Sequence, residues 1–399
     1  MAFPLWLSAL AAAMAAQTVS TFMGQALPVL APLLTASAGV APERIGNLSS
    51  LSSLASIAYM AFGSPILARL GPVASLQIGT AVAVLGLAVA SIGLWPALVA
   101  GALLMGLGYG PTAPASSRML QATAPPAHRS LIFSVKQAGA PAGGALAGLV
   151  IAPVATLYGG MPALLLAMAV GALSVAAMNP TRRPLDADRD PTRSIHPRVL
   201  FGWRNLAVPF AAIRRAPTLL PLTALAFSFA VLQGALFSFS VTYLTQRGHS
   251  LAAAGLAFAC LQAAGTVARI LLGWVADRTR TAALNLVLQA FLAAAACAAY
   301  ALMPPDSPLW LVAAIAALAG FFGASWNGIY LAEVARLAPP GAVADATAGS
   351  TMLCFMGYVI GPTLFAAAVP VLGWEIPFLL CGAQLALMAA VQGLLLRRR

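Results

Sequence analysis

The sequence predicts an all-α membrane protein, with twelve transmembrane helices in two six-helix halves related by an internal repeat. Three observations predict it. Apolar residues make up 61% of the 399 and charged residues 8%, against roughly 25% charged in a soluble domain. About twelve apolar stretches reach the roughly 20 residues that span hydrocarbon, and turns rich in Pro, Gly and Arg separate them. The two halves also share residues in the same order at a near-constant offset.

The apolar runs place the spans near 5–33, 46–68, 73–94, 97–118, 131–156 and 162–179 in the first half. In the second half they fall near 218–244, 251–275, 282–302, 309–334, 349–372 and 376–396. An N-terminal bundle over 1–179 and a C-terminal bundle over 218–399 then flank a linker over 180–217. The linker is the one long polar segment and holds Asp186, Asp188, Asp190, His196 and several prolines. An amphipathic piece around 201–215 is expected to lie on the membrane surface. The start of the chain lacks a basic n-region and its apolar run continues past residue 30, which reads as a retained helix rather than a cleaved signal.

Ala26-Leu27 matches Ala235-Leu236 at an offset of 209, and the same offset pairs Gly39 with Gly248, Gly46 with Gly255 and Arg69 with Arg278. Ala124-Pro125-Pro126 matches Ala338-Pro339-Pro340 at 214. Each pair alone is weak in so Ala- and Gly-rich a chain. Their order is what implies duplication.

A net charge of +12 would suggest nucleic acid in a soluble protein, but here the arginines fall in alternate loops. Arg69, Arg118, Arg129, Arg278, Arg280, Arg336 and the C-terminal Arg397 to Arg399 alternate with loops carrying only Arg44 or Arg247. The linker adds Arg182, Arg183, Arg189, Arg193, Arg198, Arg204, Arg214 and Arg215. By the positive-inside rule, both termini and the linker are expected on the cytoplasmic side of an inner membrane, with the lipid bilayer as partner and no nucleic acid. Cys260, Cys297, Cys354 and Cys381 all fall in apolar runs and read as packing residues, with no disulfide, metal or cofactor framework. A monomer is expected.

One loop carries a family signature. Gly273-Trp274-Val275-Ala276-Asp277-Arg278-Thr279-Arg280 resembles the Gly-x-x-x-Asp-Arg-x-Gly-Arg-Arg loop of the major facilitator superfamily, and the resemblance extends over nearly the whole chain. The first-half copy, Ser64-Pro65-Ile66-Leu67-Ala68-Arg69-Leu70-Gly71, has Ala68 where the aspartate belongs. The resemblance implies that Asp277, with Gly273 and Arg278 beside it, latches onto the helix N-terminus near Arg129 and Ser130 in the opposite half. Unsatisfied N–H groups favour negative charge there. The other reading is a loop charge that serves topology alone. Gly139-Ala140-Pro141-Ala142-Gly143-Gly144 is similar to a stretch prominent in the family's antiporters, and Gly361-Pro362 matches it in the second half. Small residues allow close helix approach in lipid and proline bends the helix. Gly139, Pro141, Gly361 and Pro362 are therefore expected to be mechanical.

Lys136 is the only lysine among 21 basic residues and lies inside an apolar run, as does Arg269. A cation at membrane depth costs about 2.5–3.5 kcal/mol on insertion scales and is a functional hypothesis by default. Counted from Arg129 and Asp277, the two sit about 10 and 12 Å in from the ends of their helices at about 1.5 Å per residue. In the superfamily these two helices face one another, which implies that both cations bind one small anion. A guanidinium offers bidentate hydrogen bonds to a carboxylate. The alternatives are that Lys136 snorkels to the headgroups and that Arg269 bonds backbone carbonyls at a helix break. The Val267-Ala268-Arg269 stretch is similar to the arginine helix of monocarboxylate and oxalate-type carriers, except that Gly265 stands where an aspartate is common.

Gln25, Gln233, Asn327 and Tyr330 complete the expected substrate-binding set. Gln17, Thr21 and Gln25 recur on one helical face, and Gln233 lies almost opposite Gln25 by the repeat. Hydrogen bonds that hold the bundle together explain each of them equally well. No Asp, Glu or His falls near the middle of a span, so proton-coupled efflux of cations lacks its usual carrier. The sequence therefore predicts no enzyme but a secondary transporter of a small organic anion, a carboxylate, working by alternating access. The alternatives are a drug or metabolite efflux carrier of the same superfamily and a membrane sensor or scaffold without turnover.

Overall fold

A computed structural model describes residues 4–125, 129–214, 216–339 and 343–397, and its described secondary structure is entirely helical. In the first half the spans are α1 (Leu5–Val29), α2 (Ile45–Phe62), α3 (Pro72–Ala90) and α4 (Trp95–Tyr109, continued by Thr112–Thr123). They are followed by α5 (Arg129–Leu146, passing through a π-helical turn at Ala147–Ile151 into Ala152–Tyr158) and α6 (Gly160–Ala177). The second half holds α7 (Leu219–Gln246), α8 (Leu251–Thr279), α9 (Ala282–Ala301), α10 (Leu309–Gly323, continued by Asn327–Leu337), α11 (Val343–Leu372) and α12 (Glu375–Arg397). Among the described residues eleven helices are long and apolar enough to cross a bilayer. Pro42–Phe62 with Ser64–Leu70, bent by 67°, brings the number to twelve if the bent pair is one span. Helices suit this medium because each backbone polar group is satisfied within its own segment.

The chain packs as two compact units, Met1–Val40 with Leu54–Trp203, and Ala41–Ser53 with Arg204–Arg399. In the first unit α3 and α4 meet through paired glycines. A Cβ on Gly86 would lie 2.7 Å from the Gly101 carbonyl, and one on Gly79 2.5 Å from that of Gly108. In the second unit a Cβ on Gly320 of α10 would strike the Leu261 carbonyl of α8. Gly357 and Gly361 bring α11 onto α7 at Phe227 and Val231. Tyr243, Tyr300 and Phe378 pack tilted or edge-to-face with centroids 5.2 to 5.7 Å apart. Arg247 binds Tyr243, Glu375 and the Met303 carbonyl over that cluster.

The repeat is visible in local geometry. Both α4 and α10 are broken, at 110–111 and 324–326. The offset of 214 relates Gly110 to Ala324. The same offset relates Ala124 and Ala338, and each ends its helix in an extended conformation, with ψ of 132° and 146°.

Two expectations need correction. The signature stretch from Gly273 is not a loop: α8 runs to Thr279, and Arg280 ends it with φ 55°. An unbroken ladder of backbone bonds leaves Asp277 and Arg278 exposed on a helix, with the Arg278 guanidinium 5.4 Å from the Trp274 ring. The linker piece expected on the membrane surface also divides. Arg204–Arg214 forms a helix that packs against α11 and buries Ala212 and Ile213. The preceding residues up to Trp203 belong to the first unit.

Candidate functional site

The first unit builds a polar seam from α1, α4 and α5. Lys136 sits in the second turn of α5 with only 3% of its surface exposed. Its Nζ donates to Gln137 Oε1 at 3.2 Å. One turn on, a Cβ at Gly139 would lie 3.1 Å from Thr18 Oγ1, and one at Gly143 would strike the Thr18 carbonyl. The glycines thus let α5 close on α1 beside the lysine. Pro141 lies in this helix and supplies no N–H; the π-turn begins six residues later. Such turns cluster at functional positions.

From α1, Gln17 Nε2 donates to Tyr109 OH at 2.8 Å, at the break in α4. Thr112 Oγ1 donates to the Tyr109 carbonyl at 2.6 Å. Further along α1 the Ser20 and Thr21 hydroxyls and Gln25 Oε1 are buried polar atoms with no hydrogen-bond partner among the described residues. Buried polar groups are normally satisfied by protein or by ordered water.

The second unit organises around the break in α10. Arg269 of α8 donates from Nε and Nη2 to the Ala324 carbonyl at 3.2 and 3.1 Å. Gln289 of α9 donates to the Phe322 carbonyl and to Ser325 Oγ, both at 2.8 Å. Helix breaks free carbonyls that must find donors within protein, and these two side chains meet that demand. The guanidinium carries five donors.

Gln233 of α7 is buried, and its Oε1 accepts from Trp326 Nε1 and from Tyr358 OH, each at 2.8 Å. Phe229 stacks on Trp326, with centroids 5.7 Å apart and rings 16° from parallel. Tyr330 OH donates to Thr223 Oγ1 at 3.4 Å and is buried. Asn327 is half-buried at the start of the second piece of α10. The structure therefore gathers Gln233, Asn327, Tyr330 and Arg269 at or beside one break, and Lys136 and Gln25 belong to the other unit.

The remaining expected residues divide similarly. Gly361 and Pro362 lie in α11, where a Cβ on Gly234 of α7 would come within 3.3 Å of the Pro362 ring. Gly273 has open space around it. The expected latch partner of Asp277, the side chains of Arg129 and Ser130, lies outside the described residues.

Sequence reasoning missed two carboxylates. Glu333 of α10 is 5% exposed and pairs with Arg336. Asp186 is 5% exposed and accepts the N–H groups of Val73 and Ala74 at 2.7 and 3.0 Å, at the start of α3. Burial pushes its carboxyl above the ordinary carboxylate value, against the pull of those two amides, Arg182 and Arg189. Around it Arg118 binds Asp188 at 2.9 Å, and Asp190 N–H donates to the Ala68 carbonyl at 2.9 Å. A Gly71-Pro72 helix start with no Ser, Thr, Asp or Asn before it was the available signal that a distant cap was needed.

Solved structures share this architecture at low identity. A peptide transporter POT in complex with sulfate superposes with a TM-score of 0.76 at 15% identity, covering 98% of this chain and 94% of that one. A bacterial homolog of the human lysosomal transporter Spinster, inward-facing and occupied, gives 0.76 at 16%, covering 100% and 98%. The human organic anion transporter MFSD10 (TETRAN) gives 0.71 at 16%, covering 98% and 100%. No curated protein matches the sequence. The family model of the Major Facilitator Superfamily matches residues 5–354. With that match across most of its length and the fold to accompany it, this multi-pass membrane protein belongs to the Major Facilitator Superfamily of transporters.

Proposed function

We propose that the protein is a secondary active transporter that moves a small organic anion, a carboxylate, across the cytoplasmic membrane by alternating access, with both termini cytoplasmic. The observation that carries this reading is Lys136, a cation 3% exposed inside a spanning helix. Broken helices at matching positions of two halves are the usual marker of a transporter's binding site, and α4 and α10 are so broken. In the second unit Arg269 is a further cation beside the α10 break, with Gln233, Asn327 and Tyr330 as neutral hydrogen-bonding groups, and in the first unit Gln25 offers another. The organic anion transporter among the structural relatives agrees with this sign of substrate.

The test is uptake of radiolabelled mono- and dicarboxylates into proteoliposomes by wild type, Lys136→Ala and Arg269→Ala. Loss of saturable uptake in Lys136→Ala, with partial recovery in Lys136→Arg, is expected. Equal uptake by Lys136→Ala and wild type would sink the anion reading.

Glu333 favours a second reading, efflux of cationic metabolites or drugs, because it is a buried carboxylate one turn from Tyr330. Its charge is already met by Arg336 at 2.8 Å from Oε2, and this makes it the weaker reading. Thermal stabilisation by cationic compounds alone, lost in Glu333→Gln, would reverse the order.

A further inference from the structure

The linker contains an apolar, aromatic surface where a polar connection has no folding use for one. Ile195 and Val199 are 42% and 40% exposed, and Phe201 and Trp203 are 67% and 77% exposed. These side chains fall within nine residues of one another, in and around the short helix Pro197–Leu200. That helix packs against Ser64–Leu70 in the same unit. Phe201 is also held in place: its ring lies 5.3 Å from Phe62, the last residue of α2. The aromatic pair therefore sits at the bend between Pro42–Phe62 and Ser64–Leu70, and amphipathic rings favour the headgroup layer of a bilayer.

The exposed charge around this patch is mainly positive. Arg183, Arg189, Arg193 and Arg198 are exposed. Each of the three linker carboxylates has a partner, but only Asp186 is buried, and Asp188 and Asp190 stay exposed. Asp186 caps α3, Asp188 binds Arg118, and Asp190 accepts from the Thr192 hydroxyl at 2.5 Å and its N–H at 3.0 Å. Arg193 is further fixed by its backbone, whose carbonyl accepts from Arg69 Nη1 at 3.3 Å. Exposed arginines outnumber exposed acids here and leave a mainly basic rim around an apolar centre.

We propose that residues 193–203 dock on a bilayer surface bearing anionic lipid headgroups. Phe201 and Trp203 enter the headgroup layer, and Arg193 and Arg198 pair with phosphate. Basic residues at the end of a membrane span attract anionic lipid within about a Debye length, and salt weakens the attraction. Because 186–190 caps α3 and binds α4, lipid that orders 193–203 acts on a segment already tied to two spans.

The test uses the full chain in nanodiscs of phosphatidylcholine alone and of a phosphatidylcholine–phosphatidylglycerol mixture, read by amide hydrogen exchange. The amides of 195–203 are expected to exchange several-fold slower in the mixed discs, and added salt should remove that difference. Arg193→Gln with Arg198→Gln should abolish it, as should Phe201→Ser with Trp203→Ser, while α1 to α6 keep their protection. Equal exchange in the two lipids would overturn the proposal. Protection that is insensitive to salt and to the arginine substitutions would overturn it as well, because charge would then play no part.

Discussion

Asp186 Oδ1 accepts the backbone N–H of Val73 at 2.7 Å, so a linker carboxylate closes the N-terminus of α3. The helix begins Gly71-Pro72 and has no side-chain cap of its own. Gly71 has φ 90°, and a Cβ there would lie 2.6 Å from the Asp186 carboxyl. Only glycine meets both conditions. Removing an N-cap acceptor costs about 0.5–2 kcal/mol. Asp186→Ala should lower the thermal midpoint of the detergent-purified protein, and Asp186→Asn should lower it less. Identical midpoints for the three proteins would show that the contact holds nothing.

The same carboxylate gives a pH dependence with a definite sign. Burial raises its folded pKa above the ordinary 3.8. A raised folded value means that the group's stabilising contribution is complete below the ordinary value and is lost as pH rises through the folded one. The stability of wild type relative to Asp186→Asn should therefore fall as pH climbs across that interval, measured by thermal midpoints in matched buffers. A difference that grows with pH would mean that the amides of Val73 and Ala74 outweigh desolvation.

The spans are legible in sequence because lipid imposes length and composition on every helix, and the offset pairs are legible because duplication preserves spacing. The breaks at 110–111 and 324–326 are not, since Gly and Pro occur throughout the spans and only tertiary donors reveal which of them interrupt a helix. Lys136 and Arg269 stand out as stranded charges. That Arg269 serves the Ala324 carbonyl is one of two readings the sequence leaves open, because a backbone acceptor leaves no mark there. Asp186 looks like any other loop acid. It lies 113 residues from Val73, and no local pattern joins a linker to a cap at that distance. The fate of Arg204–Arg214 is hidden for a related reason: amphipathicity declares an apolar face but not whether lipid or α11 covers it.

Two glycines separate packing from motion. Gly320→Ala would drive a methyl into the Leu261 carbonyl of α8, and overpacking of this kind costs about 1–3 kcal/mol. Gly273 lies inside α8 with nothing within 4 Å of a Cβ. There Gly→Ala should gain about 0.5–1 kcal/mol from helix entropy. Thermal midpoints should thus move in opposite directions for the two variants. If Gly273 serves the conformational cycle, Gly273→Ala should also slow turnover in proteoliposomes despite its higher midpoint. Unchanged turnover would show that the residue has no part in the cycle.

Gln233 tests whether the group at the α10 break binds substrate or only holds the unit together. Its Oε1 takes two donors, Trp326 Nε1 and Tyr358 OH. Gln233→Leu removes the acceptor of the buried Trp326 Nε1, and an unsatisfied buried donor costs about 1–3 kcal/mol. That variant should show a clearly lower thermal midpoint. Gln233→Glu keeps an acceptor for both donors and should stay folded, while adding negative charge beside the break. An anionic substrate would then bind more weakly, raising KM for uptake at similar protein stability. If Gln233→Glu transports carboxylates with an unchanged KM, the residue is a structural acceptor and the substrate sits elsewhere along α7.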